Sequence, residues 1–127
     1  MKQIISTKKA PAAIGPYNQG TSFEKLVFLS GQIPLNPETM EIVEGGIKEQ
    51  SKLVMENLKA VLEEANSSYE NVLKTTCYLS DMDNFLAFNE VYAEYFGASD
   101  APARATVAVK TLPKNVLVEV DAIAFKN

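Results

Sequence analysis

The N-terminal part of the chain alternates between short apolar runs and stretches rich in glycine and proline. Residues 2–6 and 26–30 are apolar or β-branched over the length of a strand, so the pattern predicts two β-strands. Glycine and proline interrupt the chain between them, which indicates a loop. Residues 31–43 are again punctuated by proline and end at Gly45 and Gly46. We interpret them as a hairpin arm that precedes a helix.

From Ile47 onward the hydrophobic period changes to that of a helix. Apolar residues recur every three or four positions as far as Asn66, with lysine and glutamate between them, which predicts one amphipathic helix. The β-branched and aromatic residues of 72–79 predict a strand. Within 85–96, which Gly97 follows, aromatic residues recur at helical spacing and predict a second helix. We interpret this aromatic stripe as core packing, with an aromatic ligand site as the alternative.

Two further strands, residues 104–110 and 116–125, are predicted at the end of the chain, joined by a turn around Pro113. The element order is therefore β-β-α-β-α-β-β. This order predicts a single α+β domain over residues 1–127, with both helices on one face of a sheet of four or five strands.

The last predicted strand carries apolar residues on both of its faces. Valine and alanine alternate along one face, and Leu117, Ile123 and Phe125 lie on the other. Because two helices can cover only one face of such a sheet, the second face needs another cover. The pattern therefore indicates association of subunits.

Composition narrows the chemistry that the chain can perform. With 127 residues and 46% hydrophobic content, the chain can close a core without disulfides or metal. A net charge of −4 disfavours nucleic acid as a partner. The chain has no histidine and a single cysteine, which excludes histidine-dependent triads and zinc sites of clustered histidine and cysteine, so we expect no metal. Without a signal-peptide core or a membrane-length apolar run, we expect a soluble cytoplasmic protein with no membrane partner.

A charged cluster is predicted in the last two strands. If residues 111–114 close a hairpin between them, Thr106 lies opposite Glu119 and Arg104 lies opposite Asp121 on the same face. The planar fork of an arginine among apolar strand residues suits recognition of a carboxylate. The alternative is a structural ion pair, in which Glu119 or Asp121 is merely the counter-ion of Arg104.

Several segments, taken together, indicate a known family. They are residues 10–20 (APAAIGPYNQG), 30–34 (SGQIP), 72–76 (VLKTT), 102–104 (PAR), 112–114 (LPK) and 118–124 (VEVDAIA). With them, essentially the whole chain resembles the YjgF/YER057c/UK114 family, also called RidA. The resemblance implies a chorismate-mutase-like fold with a mixed sheet, assembled as a homotrimer with sites in clefts between subunits. It also implies hydrolysis of 2-imino and enamine acids, which pyridoxal-phosphate-dependent dehydratases form, to 2-oxo acids and ammonia without a cofactor.

The resemblance implies roles for individual residues. Arg104 matches the carboxylate-binding arginine of the family, and Glu119 matches the carboxylate associated with the attacking water. Ala105 and Thr106 match its substrate-contact positions, and Tyr17, Ser30, Gly31 and Asn89 match other positions that line the cleft. Several members carry cysteine where this chain has Thr106, so a thiol mechanism is not available at that position. Cys77 lies in a different predicted strand, and we interpret it as a packing residue.

The implied chemistry agrees with the absence of histidine, because water attacks an iminium carbon without covalent help once the substrate is bound and oriented. From the residues alone, Gly31 has an alternative as a turn residue, Tyr17 as a packed loop aromatic and Asn89 as a solvated residue. The alternative function is a binding or regulatory module that holds a small carboxylate without turnover. Relatives have been labelled translation inhibitors, ribonucleases and chaperones, but the acidic charge and lack of histidine weigh against a ribonuclease.

Overall fold

The computed structural model describes all residues from Met1 to Asn127. Eight main elements follow one another along the chain: β1 (Gln3–Ile5), β2 (Gly20–Phe23), β3 (Leu26–Gln32), α1 (Ile47–Glu64), β4 (Val72–Leu79), α2 (Phe85–Phe96), β5 (Ala103–Ala108) and β6 (Val118–Phe125). Short 3₁₀ helices lie in the connections, at Tyr69–Asn71, Met82–Asn84 and Pro113–Asn115. The predicted helices and strands are all present. The pattern missed β2, which lies in the segment predicted as a loop.

All six strands form one sheet in the order β1-β2-β3-β6-β4-β5. Neighbouring strands are antiparallel except β4 and β5, which are parallel. A parallel pair needs a crossover connection, and α2 supplies it. The predicted arm after β3 is closed by a single antiparallel bridge between Leu35 and Ile42.

Both helices pack on the same face of the sheet and form the core with it. The side chains of α1 that meet the sheet include Val54, Leu58 and Val61, all at most 1% exposed. β6 presents alternate residues to them, which are Val118, Val120, Ala122 and Ala124. Neither helix is both long and apolar enough to cross a bilayer.

The aromatic stripe of α2 belongs to this core, as predicted. Phe88, Tyr92 and Phe96 are buried, with ring centroids 5.6 Å apart for Phe88 and Tyr92 and 4.6 Å apart for Tyr92 and Phe96. Tyr69 adds an edge-to-face contact with Phe96 at 4.9 Å. These tilted geometries are the ones that aromatic pairs prefer.

The predicted hairpin between the last two strands is wrong. β5 pairs with β4, so Arg104 lies beside Thr75, whereas β6 pairs with β4 from the other side and places Glu119 beside Tyr78. β6 takes the central position because its valine and alanine face can then be buried under the helices. As a result Arg104 shares the helix-covered face of the sheet with Thr75, and Glu119 lies on the opposite face.

The face opposite the helices is apolar and uncovered in a single chain. Strand register places four exposed apolar side chains on it, which are Ile4, Phe23, Leu26 and Phe28, beside Ile123 and Phe125 of β6. Phe28 remains 44% exposed and Phe23 53% exposed. The face therefore has the surface that the sequence indicated for association, and the homotrimer remains a prediction.

Candidate active site

Glu119 and Gly31 are placed against each other by an irregularity in β3. The register of β3 against β6 shifts between Leu29 and Gln32, and Gly31 lies within that shift. A Cβ atom at residue 31 would lie 2.9 Å from the carboxyl carbon of Glu119 and would overlap one carboxylate oxygen. A larger residue at this position would require the Glu119 side chain to move, and the place of Gly31 in a strand removes the interpretation as a turn residue.

The carboxylate of Glu119 has no partner of opposite charge. The one ion pair of the molecule joins Lys48 and Glu90. Glu119 also makes no hydrogen bond within the chain. Half-burial raises the pKa of the Glu119 carboxyl above its ordinary value, and the negative charge of Asp121 raises it further. A carboxylate with a raised pKa that faces a cleft is suited to accept a proton from water.

A cleft of about 400 Å³ opens beside this carboxylate. Its lining is Tyr17, Ser30, Gly31, Ile33, Pro113 and Glu119. Four predicted site residues are thus brought together, and Tyr17 is half exposed rather than packed in the core. Ile33 and Pro113 were not predicted as site residues. Both lie in segments that carry the family resemblance, which is the signal that could have identified them.

Three buried amide side chains hold the walls of this Glu119 cleft. Gln19 accepts a hydrogen bond from Thr7 N and donates to the carbonyls of Thr7, Ala10 and Pro11, which fixes the loop that carries Tyr17. From α1, Asn57 donates to the carbonyls of Ile33 and Leu35 at 3.3 and 3.0 Å, and Gln50 accepts from Leu117 N at 2.8 Å. These hydrogen bonds satisfy backbone N–H and C=O groups in loops that have no regular secondary structure.

Arg104 is the only arginine of the chain and lies against α2. Its Nη1 donates to Asn89 Oδ1 at 2.7 Å, and its Cζ lies 4.7 Å from the centroid of the Tyr92 ring and 5.5 Å from that of Phe85. No carboxylate pairs with Arg104, so the structural ion pair weighed as an alternative is absent. One donor is used by Asn89, and others stay available for a ligand.

A second cleft, of about 310 Å³, adjoins the guanidinium. Its lining is Asn89, Tyr92, Ala93, Gly97, Ala101, Pro102 and Arg104. Asn89, predicted as a cleft residue, therefore acts directly on Arg104 rather than lying free in solvent. Tyr92 was not predicted as a contact of Arg104, because its place in the aromatic stripe indicated only core packing.

The remaining predicted residues lie on either side of β5. Thr106 lies beside Cys77, and its hydroxyl is buried without a hydrogen-bond partner. Ala105 lies beside Thr76, on the opposite face from Arg104. Cys77 is fully buried in the core, as predicted, and burial raises the pKa of its thiol to about 11, which keeps it protonated.

The predicted cluster of Arg104, Thr106, Glu119 and Asp121 on one face is therefore wrong. Glu119 and Asp121 share the uncovered face, whereas Arg104 and Thr106 lie on the helix-covered face of the edge strand. β4 lies between β5 and β6, so both a strand and the thickness of the sheet separate the two charged groups. One chain thus carries two separate charged groups, the guanidinium of Arg104 and the carboxylate of Glu119, each beside its own cleft.

Sequence comparison identifies the family. The sequence profile described as endoribonuclease L-PSP matches residues 7–126. The chain belongs to this family, the YjgF/RidA family that its motifs indicated, and the sheet with its two helices is the expected chorismate-mutase-like fold.

Particular relatives span the whole chain. A RutC family protein of Pyrococcus abyssi is 55% identical over 125 residues, which cover 98% of either chain. The 2-iminobutanoate/2-iminopropanoate deaminase of Mus musculus is 44% identical over 126 residues, covering 99% of this chain and 93% of that protein. The crystal structure of Escherichia coli TdcF with bound serine superposes with a TM-score of 0.92 at 42% identity, covering 98% and 99% of the two chains.

Proposed function

We propose that this protein hydrolyses small 2-imino and enamine acids to 2-oxo acids and ammonia. The observation that carries the proposal is the pair of unpaired charges. Arg104 has free donors at one cleft, and Glu119 has a raised pKa and no counter-ion at another. A deaminase named for 2-iminobutanoate and 2-iminopropanoate among the relatives supports this substrate class.

We propose that the Arg104 cleft and the Glu119 cleft are two half-sites, which meet between neighbouring chains of a homotrimer. They lie on opposite faces of one sheet, so neither can reach the other within a chain. The uncovered apolar face beside Glu119 offers the contact surface that such an assembly needs. Each site would then contain Arg104 from one chain and the Glu119 cleft from the next.

The proposed reaction needs no cofactor. An enamine acid first takes a proton on C3 and becomes the 2-iminium acid, which is the protonated form of the 2-imine. Arg104 binds the substrate carboxylate through two charge-assisted hydrogen bonds, which fixes C2 beside the Glu119 cleft. Glu119 accepts a proton from water as the oxygen forms a bond to C2 and the C=N electron pair moves to nitrogen. Glu119 returns this proton to the nitrogen, the C2–N bond breaks to release ammonia, and the oxygen forms the C=O bond as its proton passes to water, so that the 2-oxo acid remains.

The proposal predicts that removing the guanidinium abolishes hydrolysis. A dehydratase generates 2-aminoacrylate or 2-iminobutanoate, and loss of the imine absorbance is followed with and without this protein. Arg104→Ala is expected to lower kcat/KM by roughly 100-fold or more, because the substrate carboxylate loses its charged partner. Lys59→Ala, which removes an exposed cation of α1, is the matched control and should retain full activity.

Two other results would overturn the proposal. Acceleration that survives in Arg104→Ala would show that the site lies elsewhere. Binding of 2-oxo acids by the unaltered protein, with no acceleration of imine loss, would favour a non-catalytic carboxylate-binding module instead. The description of the family as endoribonuclease adds a third assay, cleavage of single-stranded RNA, in which we expect no activity.

A further inference from the structure

Three side chains on one face of α2 surround the guanidinium of Arg104. They are Phe85, Asn89 and Tyr92, whose spacing of four and then three residues places them on the same side of a helix. We propose that these residues form a guanidinium cradle, which orients Arg104 and leaves its positive charge available for a carboxylate. The inference rests on the proposed function and assigns Phe85, Asn89 and Tyr92 as positioning residues of that site.

Two aromatic rings lie close to the guanidinium carbon of Arg104. Tyr92 lies 4.7 Å and Phe85 5.5 Å from Arg104 Cζ, within the range of cation–π attraction. The Tyr92 ring is itself held in place, because it is buried and its hydroxyl hydrogen-bonds to Thr75 Oγ1 at 2.7 Å. Neither ring accepts a conventional hydrogen bond from the guanidinium, so apart from the Nη1 donor used by Asn89 its N–H groups remain donors for a planar anion.

Asn89 fixes one N–H group without neutralising the charge. Its Oδ1 accepts from Arg104 Nη1 at 2.7 Å, a distance at which an aspartate would form an ion pair. The adjacent carboxylate on α2, Glu90, is held by Lys48 at 2.7 Å. Arg104 is therefore oriented by a neutral amide, and its full charge faces the cleft lined by Ala93, Gly97, Ala101 and Pro102.

The cradle predicts that a near-isosteric change of charge disables the site. In Asn89→Asp the new carboxylate keeps the geometry and competes with the ligand for Arg104. Calorimetric titration of the full chain with pyruvate should give a Kd roughly tenfold or more above that of the unaltered protein. Leu86→Asp is the matched control. Leu86 is 76% exposed on α2, and the substitution adds the same negative charge outside the cradle. Its Kd should stay within about twofold of the original.

An unchanged Kd in Asn89→Asp, or an equal rise in both variants, would overturn the cradle. A second measurement does not depend on ligand binding. Because Arg104 is the only arginine, its Nε–Hε group gives a single arginine side-chain NMR signal. Ring currents should shift this signal, and Phe85→Leu should move it in the free protein.

This measurement separates failure of the cradle from failure of the proposed function. An Arg104 signal that is identical in the unaltered protein and in Phe85→Leu overturns the cradle, whatever the protein hydrolyses. A signal that moves in Phe85→Leu, in a protein that neither binds pyruvate nor accelerates imine loss, retains the cradle geometry but overturns the proposed function and the carboxylate-binding role with it.

Discussion

Gly31 shows how one residue can set the position of a functional carboxylate. The Glu119 side chain occupies the space that any Cβ atom at residue 31 would need. An added methyl group would therefore displace the carboxylate, while the backbone of β3 could keep its conformation. Glycine at this position thus leaves room for a side chain of the neighbouring strand and is not needed for backbone torsion.

Gly31→Ala should consequently lower kcat by about 100-fold or more, because proton transfer from water to Glu119 depends on the carboxylate position within fractions of an ångström. Steady-state rates of imine loss measure the effect, and circular dichroism checks that the fold persists. Gly46→Ala serves for comparison, since a Cβ atom there would meet only Glu49 Oε1 at 3.9 Å. That variant should keep its activity even if the start of α1 loses up to about 1 kcal/mol of stability. Full activity in Gly31→Ala would contradict the role of Glu119.

Asp121 should govern the acid side of the pH profile. Burial is the larger cause that raises the pKa of Glu119, and the negative charge of Asp121 is the smaller one. A general base works only when deprotonated, so kcat/KM should fall as pH drops through the pKa of Glu119. In Asp121→Asn the acid limb should move to lower pH, since one of the two causes is removed.

The burial of Glu119 persists in that variant, so the limb should remain above the ordinary range of a glutamate. The pH dependence of kcat/KM gives the position of the acid limb in the unaltered protein and in Asp121→Asn. Glu64→Gln is the control for a general change of charge. A limb that stays in place or moves to higher pH in Asp121→Asn would rule out Glu119 as the group responsible.

At the scale of the elements, local patterns predicted the helices and strands but not which strands pair. The spacing of apolar residues gave α1 and α2 to within a few residues, because it depends on neighbours in the chain. Strand pairing is non-local, and the assumption that β5 and β6 form a hairpin put Arg104 and Glu119 on one face. The alternation of β6 correctly separated its two faces, yet it held no information on the strand beside it.

The same distinction explains which site residues the sequence could supply. The family segments predicted four residues of one cleft, which are Tyr17, Ser30, Gly31 and Glu119. All four line the same cleft in the structure. Residues that act through long-range contacts stayed hidden. Gln50 and Asn57 interrupt the apolar stripe of α1 and are buried, because loops distant in the chain supply their hydrogen-bond partners. Nothing in the local pattern of α1 indicates those partners.

At the scale of the whole molecule, the proposed site between chains predicts that two inactive variants regain activity when they assemble together. Arg104→Ala and Glu119→Gln should each be inactive alone. When the two variants are unfolded together and refolded as a mixture, a site between chains is intact wherever a Glu119→Gln chain supplies Arg104 and an Arg104→Ala chain supplies Glu119. Random assembly of equal amounts then restores about a quarter of the sites in any closed ring.

Activity of the refolded mixture, compared with the same variants mixed without unfolding, measures this recovery. No recovery in a mixture that has assembled, as judged by light scattering, would show that both groups serve one chain. It would also contradict the arrangement on opposite faces of the sheet, which makes a site within one chain unreachable.

The uncovered apolar face makes the newly made chain prone to aggregation. In the single chain, Phe23, Leu26 and Phe28 are exposed together, and β5 presents an unpaired strand edge at the end of the sheet. Such surfaces recruit other unfinished chains as readily as correct ones. Rapid synthesis should therefore divert this protein into inclusion bodies, and slower synthesis at low temperature should favour orderly assembly.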